Sequence, residues 1–449
     1  MLSGTLLCGV RTFLPPCGER PSGPAANILI ICEVPGIHAL TLGTSMLFAG
    51  SFRLISTLGN VAADVAGACS FAGILYYVTV LWSTTDTTQS RTAELARRTQ
   101  SGADATPPPV SILKPLKGVD PDMFESFRSH CLQDYPQYEI VFGVSDADDP
   151  AVPEVERLRA EFPDRSIQLV VCGQRLGTNI KVSNLAQMAR QARSDHFVVS
   201  DSDIRVQPDY LREVMAPLSS QEVGMVTCLY RGVAADTFGS KLESLGISTD
   251  FSPGVLVARL LEGSLHFALG STMAFRRSDL QAIGGFESFV DYLADDYELG
   301  KRIAMLGRKI HLSNVVVETF LPPYSLRQYF AHQLRWARGV RDSRPGGYLG
   351  LLFTFGWQWT ILALIFSAGA DWAWGLTGVA VFLRLVSAWA VGTGALKDRQ
   401  VVRFLPLIPL RDIAGVLIWI ASFAGNTVTW RGERFELKRG KLTRLETHE

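Results

Sequence analysis

Through the middle of the chain, short runs of β-branched and other apolar residues alternate with stretches whose apolar positions recur at helical spacing. The runs predict strands and the stretches predict helices, at a pitch typical of a parallel sheet covered by helices. We therefore predict an α/β domain over residues 110–345. The predicted strands are 110–113, 139–144, 167–171 and 196–200, and the predicted helices are 123–131, 152–162 and 182–193.

An apolar, almost uncharged segment precedes this domain. Residues 61–83 have the length of a short transmembrane helix, with a buried core helix as the alternative. Residues 84–109 are rich in Thr, Ser, Ala and Arg and predict a polar linker. Residues 1–60 are an uncertain N-terminal segment without the pattern of a secretory signal. They predict either a weak membrane helix or sequence upstream of the true start.

Three further apolar stretches follow the domain. They lie within residues 346–430, which we predict to be C-terminal membrane segments, and they cover 348–369, 372–396 and 413–430. Residues 431–449 form a basic tail.

Basic residues next to the apolar segments predict the orientation. Three arginines follow the first segment, at 91, 97 and 98, and the positive-inside rule then places the domain in the cytoplasm. The same rule places the basic tail there, whereas three full crossings after the domain would place it outside. We therefore predict that one segment is re-entrant or interfacial. The last is our choice, because it contains Asn426 and follows two prolines.

Composition agrees with a membrane protein, since 47% of the residues are hydrophobic and the mean hydropathy is +0.17. Lys plus Arg and Asp plus Glu both number 43, so net charge favours no class of partner. No basic stripe with interleaved aromatic residues occurs in the central domain, and we expect no nucleic-acid partner. The seven cysteines are scattered, which fits neither a zinc site nor a disulfide framework.

Acidic residues follow two of the predicted strands, where ligands bind in sheets of this kind. Asp201 and Asp203 come directly after the strand at 196–200, and their spacing suits a divalent cation, Mg²⁺ or Mn²⁺, together with a ribose. Asp146 and Asp149 follow the strand at 139–144 and predict a contact with the nucleoside of a donor, or else a solvated turn.

A third acidic pair and a helix start complete the central set. Asp295 and Asp296 precede a basic helix, so they predict either helix capping or a general base that accepts a hydroxyl proton. Lys181 and Asn184 follow a glycine at a helix start, where phosphate can bind, although a plain helix start is the alternative.

The run from His332 to Trp336 lies just before the membrane segments. Arg335 is a candidate partner of a diphosphate, and Trp336 is a candidate for stacking, with membrane anchoring as the alternative for both. The candidate acceptor-site residues are His266, Asp295, His332 and Gln333.

Taken in order, these segments resemble the ceramide glucosyltransferase family, a lipid-directed branch of the inverting GT-A glycosyltransferases. The resemblance runs from about residue 110 to residue 339 and rests on several long motifs. They are SILKPLKGVDP at 111–121, QDYPQYE at 133–139, DDP at 148–150, DSDIRV at 201–206, DDY at 295–297 and RW at 335–336.

The resemblance implies a Rossmann-like GT-A domain with flanking transmembrane helices, which transfers a hexose from UDP-glucose to a membrane lipid such as ceramide. It also implies an active site on the cytosolic face. By position, Asp149 and Asp201 match the first two acidic positions of the family and Asp296 matches the third, which is the base. Arg335 and Trp336 match the end of its Gln/Arg-x-x-Arg-Trp motif.

This sequence departs from the family pattern in three places, and these departures leave alternative functions open. His332 stands at the Gln/Arg position, with Gln333 beside it. Asp203 completes an Asp-x-Asp, whereas animal ceramide enzymes resemble Asp-Ser-Gly. Residues 265–275 are similar to bacterial relatives that glycosylate hopanoids, which implies a bacterial inner membrane. The main alternative is therefore an N-acetylglucosaminyltransferase acting on a hopanoid, followed by a processive polysaccharide synthase or a non-catalytic membrane protein.

Overall fold

The computed structural model describes residues 41–101, 107–430 and 433–445, with side chains of the first helix described over 57–91. Most of the uncertain N-terminal segment, residues 102–106 of the predicted linker, and the side chains of the arginines at 97 and 98 lie outside this description. The chain divides into two compact units, Met1–Thr57 and Leu58–Glu449. All of the described strands lie in the second unit.

An eight-stranded sheet forms the centre of this unit, in the order β3-β2-β1-β4-β7-β6-β8-β5. The first four strands are parallel to one another, and β7 runs antiparallel to both of its neighbours. The α/β prediction is therefore confirmed, and all four predicted strands are present. The strands are β1 Val110–Pro115, β2 Tyr138–Val144, β3 Ser166–Val171, β4 His196–Val199, β5 Ile204–Arg205, β6 Val223–Val233, β7 Met273–Arg276 and β8 Lys309–Phe320.

Helices cover both faces of the sheet. In β4, Phe197 and Val199 enter one buried core cluster, whereas Val198 enters the other, as the alternation of side chains along a strand requires. The helices of this domain are α2 Met123–Cys131, α3 Val152–Glu161, α4 Ile180–Gln191, α5 Tyr210–Met215, α6 Phe238–Gly246, α7 Ser252–Glu262, α8 Arg277–Ala282, α9 Asp295–Met305 and α10 Leu326–Ser343, after α1 Thr41–Ser101. Short 3₁₀ turns lie at Ala216–Ser219 and Phe286–Phe289, and a π-helical turn lies at Ile247–Phe251.

The polar segment that we predicted as a linker is helical over most of its length, because α1 continues to Ser101. The hydroxyl groups of Thr84 and Thr87 donate to backbone carbonyls of the preceding turn, so their polarity is satisfied within the helix. One ion pair, between Arg259 and Asp86, and one hydrogen bond, from Arg91 to the carbonyl of Ala395, attach this part to the rest of the unit.

Three helical segments of the described residues are long and apolar enough to cross a membrane: Thr57–Arg91, Asp371–Ala395 and Gln400–Ser422. A pair bent by 57°, Pro345–Thr354 and Gly356–Phe366, makes up to four. The chain is therefore built as a membrane protein. The helices after the domain are α11 Pro345–Gly350, α12 Gly356–Phe366, α13 Asp371–Trp389, α14 Gln400–Phe404 and α15 Ile408–Ser422, with turns at Leu351–Thr354, Ala390–Ala395 and Leu405–Leu407.

Small residues let the membrane helices approach closely. Gly73 of α1 packs directly on Gly356 of α12, where neither position has room for a side chain. Further along, Ala66, Ala363 and Ala373 form a common buried cluster of α1, α12 and α13. These contacts pair α12 and α13 with the first helix.

The C-terminal residues form a second sheet instead of a plain basic tail. It contains β9 Thr427–Trp430, β10 Glu433–Lys438 and β11 Lys441–Arg444, all antiparallel. The apolar segment predicted over 413–430 therefore ends as a helix at Ser422 and continues as a strand. Phe435 and Leu437 are buried on the inner face, which is why this charged stretch forms strands.

Candidate active site

The parallel strands end at one edge of the large sheet, and three predicted site residues meet there. Asp201 follows β4, Lys181 lies in the first turn of α4, and Asp295 begins α9. The Nζ atom of Lys181 is 2.8 Å from Asp201 Oδ1 and 3.0 Å from Asp295 Oδ2. Asn179 caps α4 by accepting from the amide of Val182, which fixes the helix start that carries this lysine.

Asp296 lies beside this group but is held by backbone donors. Its Oδ2 accepts from the amide of Gly270 at 2.9 Å, and its Oδ1 accepts from the amide of Tyr297 at 2.7 Å. Of the two adjacent acids, Asp295 is thus neutralised by Lys181, and Asp296 has no ion pair among the described residues.

Gly270 lies between the acids that follow β4 and those that begin α9. A Cβ atom at this position would lie 3.1 Å from Asp201 Oδ2 and 3.4 Å from Asp296 Oδ2. The absence of a side chain therefore lets two carboxylates from distant parts of the sequence converge. Sequence reasoning missed this glycine, because only the fold brings it next to both acids.

The surroundings of Asp296 and Lys181 shift the pKa values of both side chains. Burial, together with the neighbouring charge of Asp295, raises the pKa of Asp296 to about 6, and Lys181 opposes that rise. Burial alone would lower the pKa of Lys181, but Asp201 and Asp295 outweigh it and raise that pKa. Lys181 thus stays protonated at neutral pH, where Asp296 is ionised and able to accept a proton.

Asp203 lies within the turn after β4. Its Oδ2 accepts from the hydroxyl of Thr319 at 2.5 Å. Burial, and then the charge of Asp201, raise the pKa of Asp203 to about 6. Asp201 and Asp203 are two carboxylates, and the described residues contain no cluster of three or more His, Cys, Asp or Glu side chains able to hold a metal ion. This donor set fits a hard cation that takes its remaining oxygens from a substrate diphosphate and water.

A buried lysine beneath this turn was missed by the sequence analysis. Lys114, at the end of β1, donates to the backbone carbonyl of Asp201 at 2.8 Å and to Ser200 Oγ at 3.2 Å. Burial lowers its pKa to about 7, while Asp203, Asp201 and Asp120 oppose the shift. A lysine within an otherwise apolar strand is the sequence signal that points to such a position.

The acids after β2 form their hydrogen bonds within the loops after β1 and β2. Asp146 is exposed and accepts from the amide of Asp148 within its own turn. Asp149 accepts from the amide of Gly118 at 2.9 Å and 3.2 Å, and from the amide of Ala151 at 2.9 Å. Asp149 therefore joins the loop after β1 to the loop after β2. Its contact with a nucleoside remains a prediction.

Two of the predicted residues on α10, His332 and Gln333, contact a buried acid on α6. Gln333 donates to both carboxylate oxygens of Glu243, at 2.9 Å and 2.8 Å, and His332 Nδ1 lies 3.2 Å from the same group. Glu243 was missed, although one acid within the apolar pattern of α6 was a signal.

Aromatic residues pack around His332 and Trp336 of α10. His332 stacks on Tyr324, with ring centroids 5.3 Å apart, and Trp336 packs against His332 and Phe251. Burial and Glu243 raise the pKa of Tyr324 to about 12, Arg335 lowers it, and Asp203 raises it further. The pKa of the Tyr324 phenol thus responds to the charges of both Arg335 and Asp203.

His266, a predicted acceptor-site residue, lies on the surface after α7. Its Nδ1 is 2.8 Å from Glu262, which also pairs with Arg344 at 2.5 Å. Among the described residues no hydrogen bond or ion pair joins His266 to the acids around Gly270. The structure therefore does not bring this histidine into the central group.

Relatives of known sequence cover most of this chain. Ceramide glucosyltransferase 1 of Caenorhabditis elegans is 23% identical in an alignment of 427 residues that covers 92% of this chain and 88% of that protein. Ceramide glucosyltransferase 3 of the same organism is 25% identical over 439 residues, with 92% and 90% covered. A solved mannosyltransferase from Pyrobaculum calidifontis, in complex with GDP-Man and Mn²⁺, matches with a TM-score of 0.45 and 22% identity, over 82% of this chain and 98% of that one.

A family model matches residues 66–443, far more than half of the 449 residues, and its description is glycosyl transferase family 21. The match includes the sheet, the acids around Gly270, α10 and the C-terminal sheet. The fold is accordingly of the GT-A type with attached membrane helices. On these grounds the chain belongs to glycosyl transferase family 21 and is a glycosyltransferase.

Proposed function

We propose that this protein transfers a hexose from a UDP-sugar, UDP-glucose in the first place, to the hydroxyl group of a membrane lipid such as ceramide, with inversion at the anomeric carbon. The observation that carries the proposal is the convergence of Asp201 and Asp296 on Gly270. It joins a candidate donor-binding acid to a candidate base. The names of the relatives support the lipid acceptor and the glucosyl donor.

Asp296 is the proposed base. With a pKa of about 6 it is ionised at neutral pH, yet basic enough to accept the proton of an attacking hydroxyl. The lipid oxygen forms a bond to the anomeric carbon as the bond from that carbon to the UDP oxygen breaks, and the proton passes to Asp296. Lys181 holds Asp295 as an ion pair, so that only one of the adjacent acids is available.

Asp201 and Asp203 would hold a divalent ion, Mg²⁺ or Mn²⁺, which when bound neutralises charge on the diphosphate. Arg335 is the proposed protein cation for the same diphosphate, and Trp336 a stacking residue beside it. Asp146 and Asp149 are proposed to contact the nucleoside. Gln333 and His332 fix α10 through Glu243, and Asp295 borders the acceptor side.

The membrane helices support an arrangement in which the domain and the C-terminal sheet share one side. We infer that α1 crosses the membrane and that α12 and α13 form a hairpin against it. The helical segment Gln400–Ser422, which ends with α15, has the length of a span, but its Gln400, Arg411 and Ser422 all bond groups of the domain. Contacts along its whole length favour a position along the membrane surface, and the basic residues after α13 favour a cytoplasmic domain in a bacterial inner membrane.

Transfer of labelled sugar in detergent tests this function. UDP-glucose and UDP-N-acetylglucosamine are each supplied with ceramide or a hopanoid, and with Mg²⁺ or Mn²⁺. Glucosylceramide formation supports the proposal. An amino-sugar hopanoid as the sole product would contradict both the sugar and the acceptor, and no lipid product from either donor would contradict the proposed reaction.

A further inference from the structure

The C-terminal sheet contacts the loop that leads into the acid pair. Tyr292 forms an antiparallel bridge with Lys441. The amide of Leu293 donates to the carbonyl of Gly440 at 2.9 Å, and the amide of Leu442 donates to the carbonyl of Asp291 at 2.7 Å. The loop 291–293 is therefore bonded to the β10–β11 hairpin as if it were a further strand.

The start of α4 holds the opposite side of the same loop. The amide of Asn179 donates to the carbonyl of Val290 at 2.8 Å, and its side-chain Nδ2 donates to the carbonyl of Tyr292 at 2.7 Å. Thr178 donates to Asp291 Oδ1 from both its amide and its hydroxyl, at 2.9 Å each. The loop is thus fixed between the helix that carries Lys181 and the hairpin.

The tip of the hairpin is attached in turn to α10. Gly440 has a φ of +79°, a conformation that favours glycine, and its amide donates to the carboxylate of Asp342. A Cβ atom at Gly440 would lie 3.1 Å from Cδ1 of Tyr292. A glycine at this position therefore allows both the backbone conformation of the hairpin tip and its close packing on Tyr292.

We propose that the β10–β11 hairpin is a positioning element for the reaction, in which Gly440 and Asp342 hold the loop 291–293 so that Asp296 faces Asp201 across Gly270. The inference rests on the proposed role of Asp296. No hydrogen bond or ion pair joins the described part of the hairpin to Asp201, Asp295 or Asp296, so its effect passes through the loop. The expected effect is on turnover, because a displaced base slows the chemical step.

Two pairs of variants of the full chain test this element. Gly440→Ala adds a methyl group against Tyr292, and Gly307→Ala is its control, since Gly307 has a φ of +78° with no neighbouring atom within 4 Å. Asp342→Ala removes the acceptor at the hairpin tip, whereas Asp342→Asn keeps an acceptor oxygen there. The kcat and the KM for the UDP-sugar are measured with a lipid acceptor, and amide hydrogen exchange is followed over residues 290–297.

We expect Gly440→Ala and Asp342→Ala to lower kcat by about tenfold or more, with an unchanged KM and faster exchange over 290–297. The two control variants should match the wild type. Wild-type exchange in both Gly440→Ala and Asp342→Ala would overturn the inference, as would a raised KM with unchanged kcat. If the wild type transfers no sugar, the proposed function fails, and the exchange rates then decide alone whether the hairpin holds the loop.

Discussion

Lys181 forms an ion pair with Asp295, whose carboxylate oxygen lies 3.0 Å from the lysine Nζ, and so distinguishes two acids that are adjacent in sequence. Without this cation, Asp295 and Asp296 would repel each other in a buried setting. The pair therefore explains how one acid remains a charged structural partner while the other is available as a base.

Removal of this cation should shift the pH dependence of transfer. In Lys181→Met the charge of Asp295 is no longer compensated, so the pKa of Asp296 rises above about 6 and less of the base is ionised at pH 7. The acidic limb of the kcat profile should then move to higher pH. Lys181→Arg, which keeps the charge, is the control, and an unmoved limb in Lys181→Met would contradict the role of the ion pair.

The direction in which wild-type activity changes with pH is predicted as well. Activity should rise with pH through about 6, because Asp296 accepts a proton only when it is ionised. The same raised pKa means that the folded state keeps a proton that the unfolded chain loses near pH 4. This group therefore makes the free energy of unfolding fall as pH rises from about 4 to about 6. A kcat that is flat between pH 5 and pH 7 would exclude Asp296 as the base.

A methyl group at Gly270 should reduce transfer. Gly270→Ala places an atom 3.1 Å from Asp201 and 3.4 Å from Asp296, so at least one carboxylate must move. We expect kcat/KM to fall by about tenfold or more. Gly254→Ala is a matched control, since its Cβ would meet no atom within 4 Å. Equal activity of the two variants would show that the space between the acids is unimportant.

Arg384 should contribute to stability rather than to chemistry. It lies on α13 and pairs with Asp412 of α15 at 2.6 Å and with Asp250 of the domain at 2.8 Å. In Arg384→Met the buried Asp412 loses this partner, which typically costs about 3–5 kcal/mol. A clear fall in Tm in detergent is expected, whereas the exposed Arg399→Met should leave Tm unchanged. Equal Tm values would contradict the structural role.

The sequence predicted the parallel half of the sheet because its strands are short apolar runs with helices between them. It also predicted which acids follow strand ends, since that depends on local order alone. The other half, β5 to β8, mixes parallel and antiparallel pairs, and it was not predicted because its strands differ widely in length and follow no regular spacing.

Local patterns did not specify the tertiary contacts of several site residues. Gly270 and Glu243 acquire their surroundings only when distant segments meet. Lys181 was predicted to lie at either a phosphate-binding or a plain helix start, and its ion pairs with two acids were not visible in the local sequence. The C-terminal strands had a usable signal, the alternation of Phe435 and Leu437 with charged residues, but the basic composition favoured a tail.

The most direct test of the account is single-turnover transfer by Asp296→Asn, with UDP binding measured on the same preparation. The substitution keeps the size of the side chain and removes its ability to take a proton. We predict a rate lower by about 10²–10⁴-fold with unchanged UDP affinity, while the exposed Asp164→Asn behaves as wild type. Transfer by Asp296→Asn at the wild-type rate would contradict the assignment of the base.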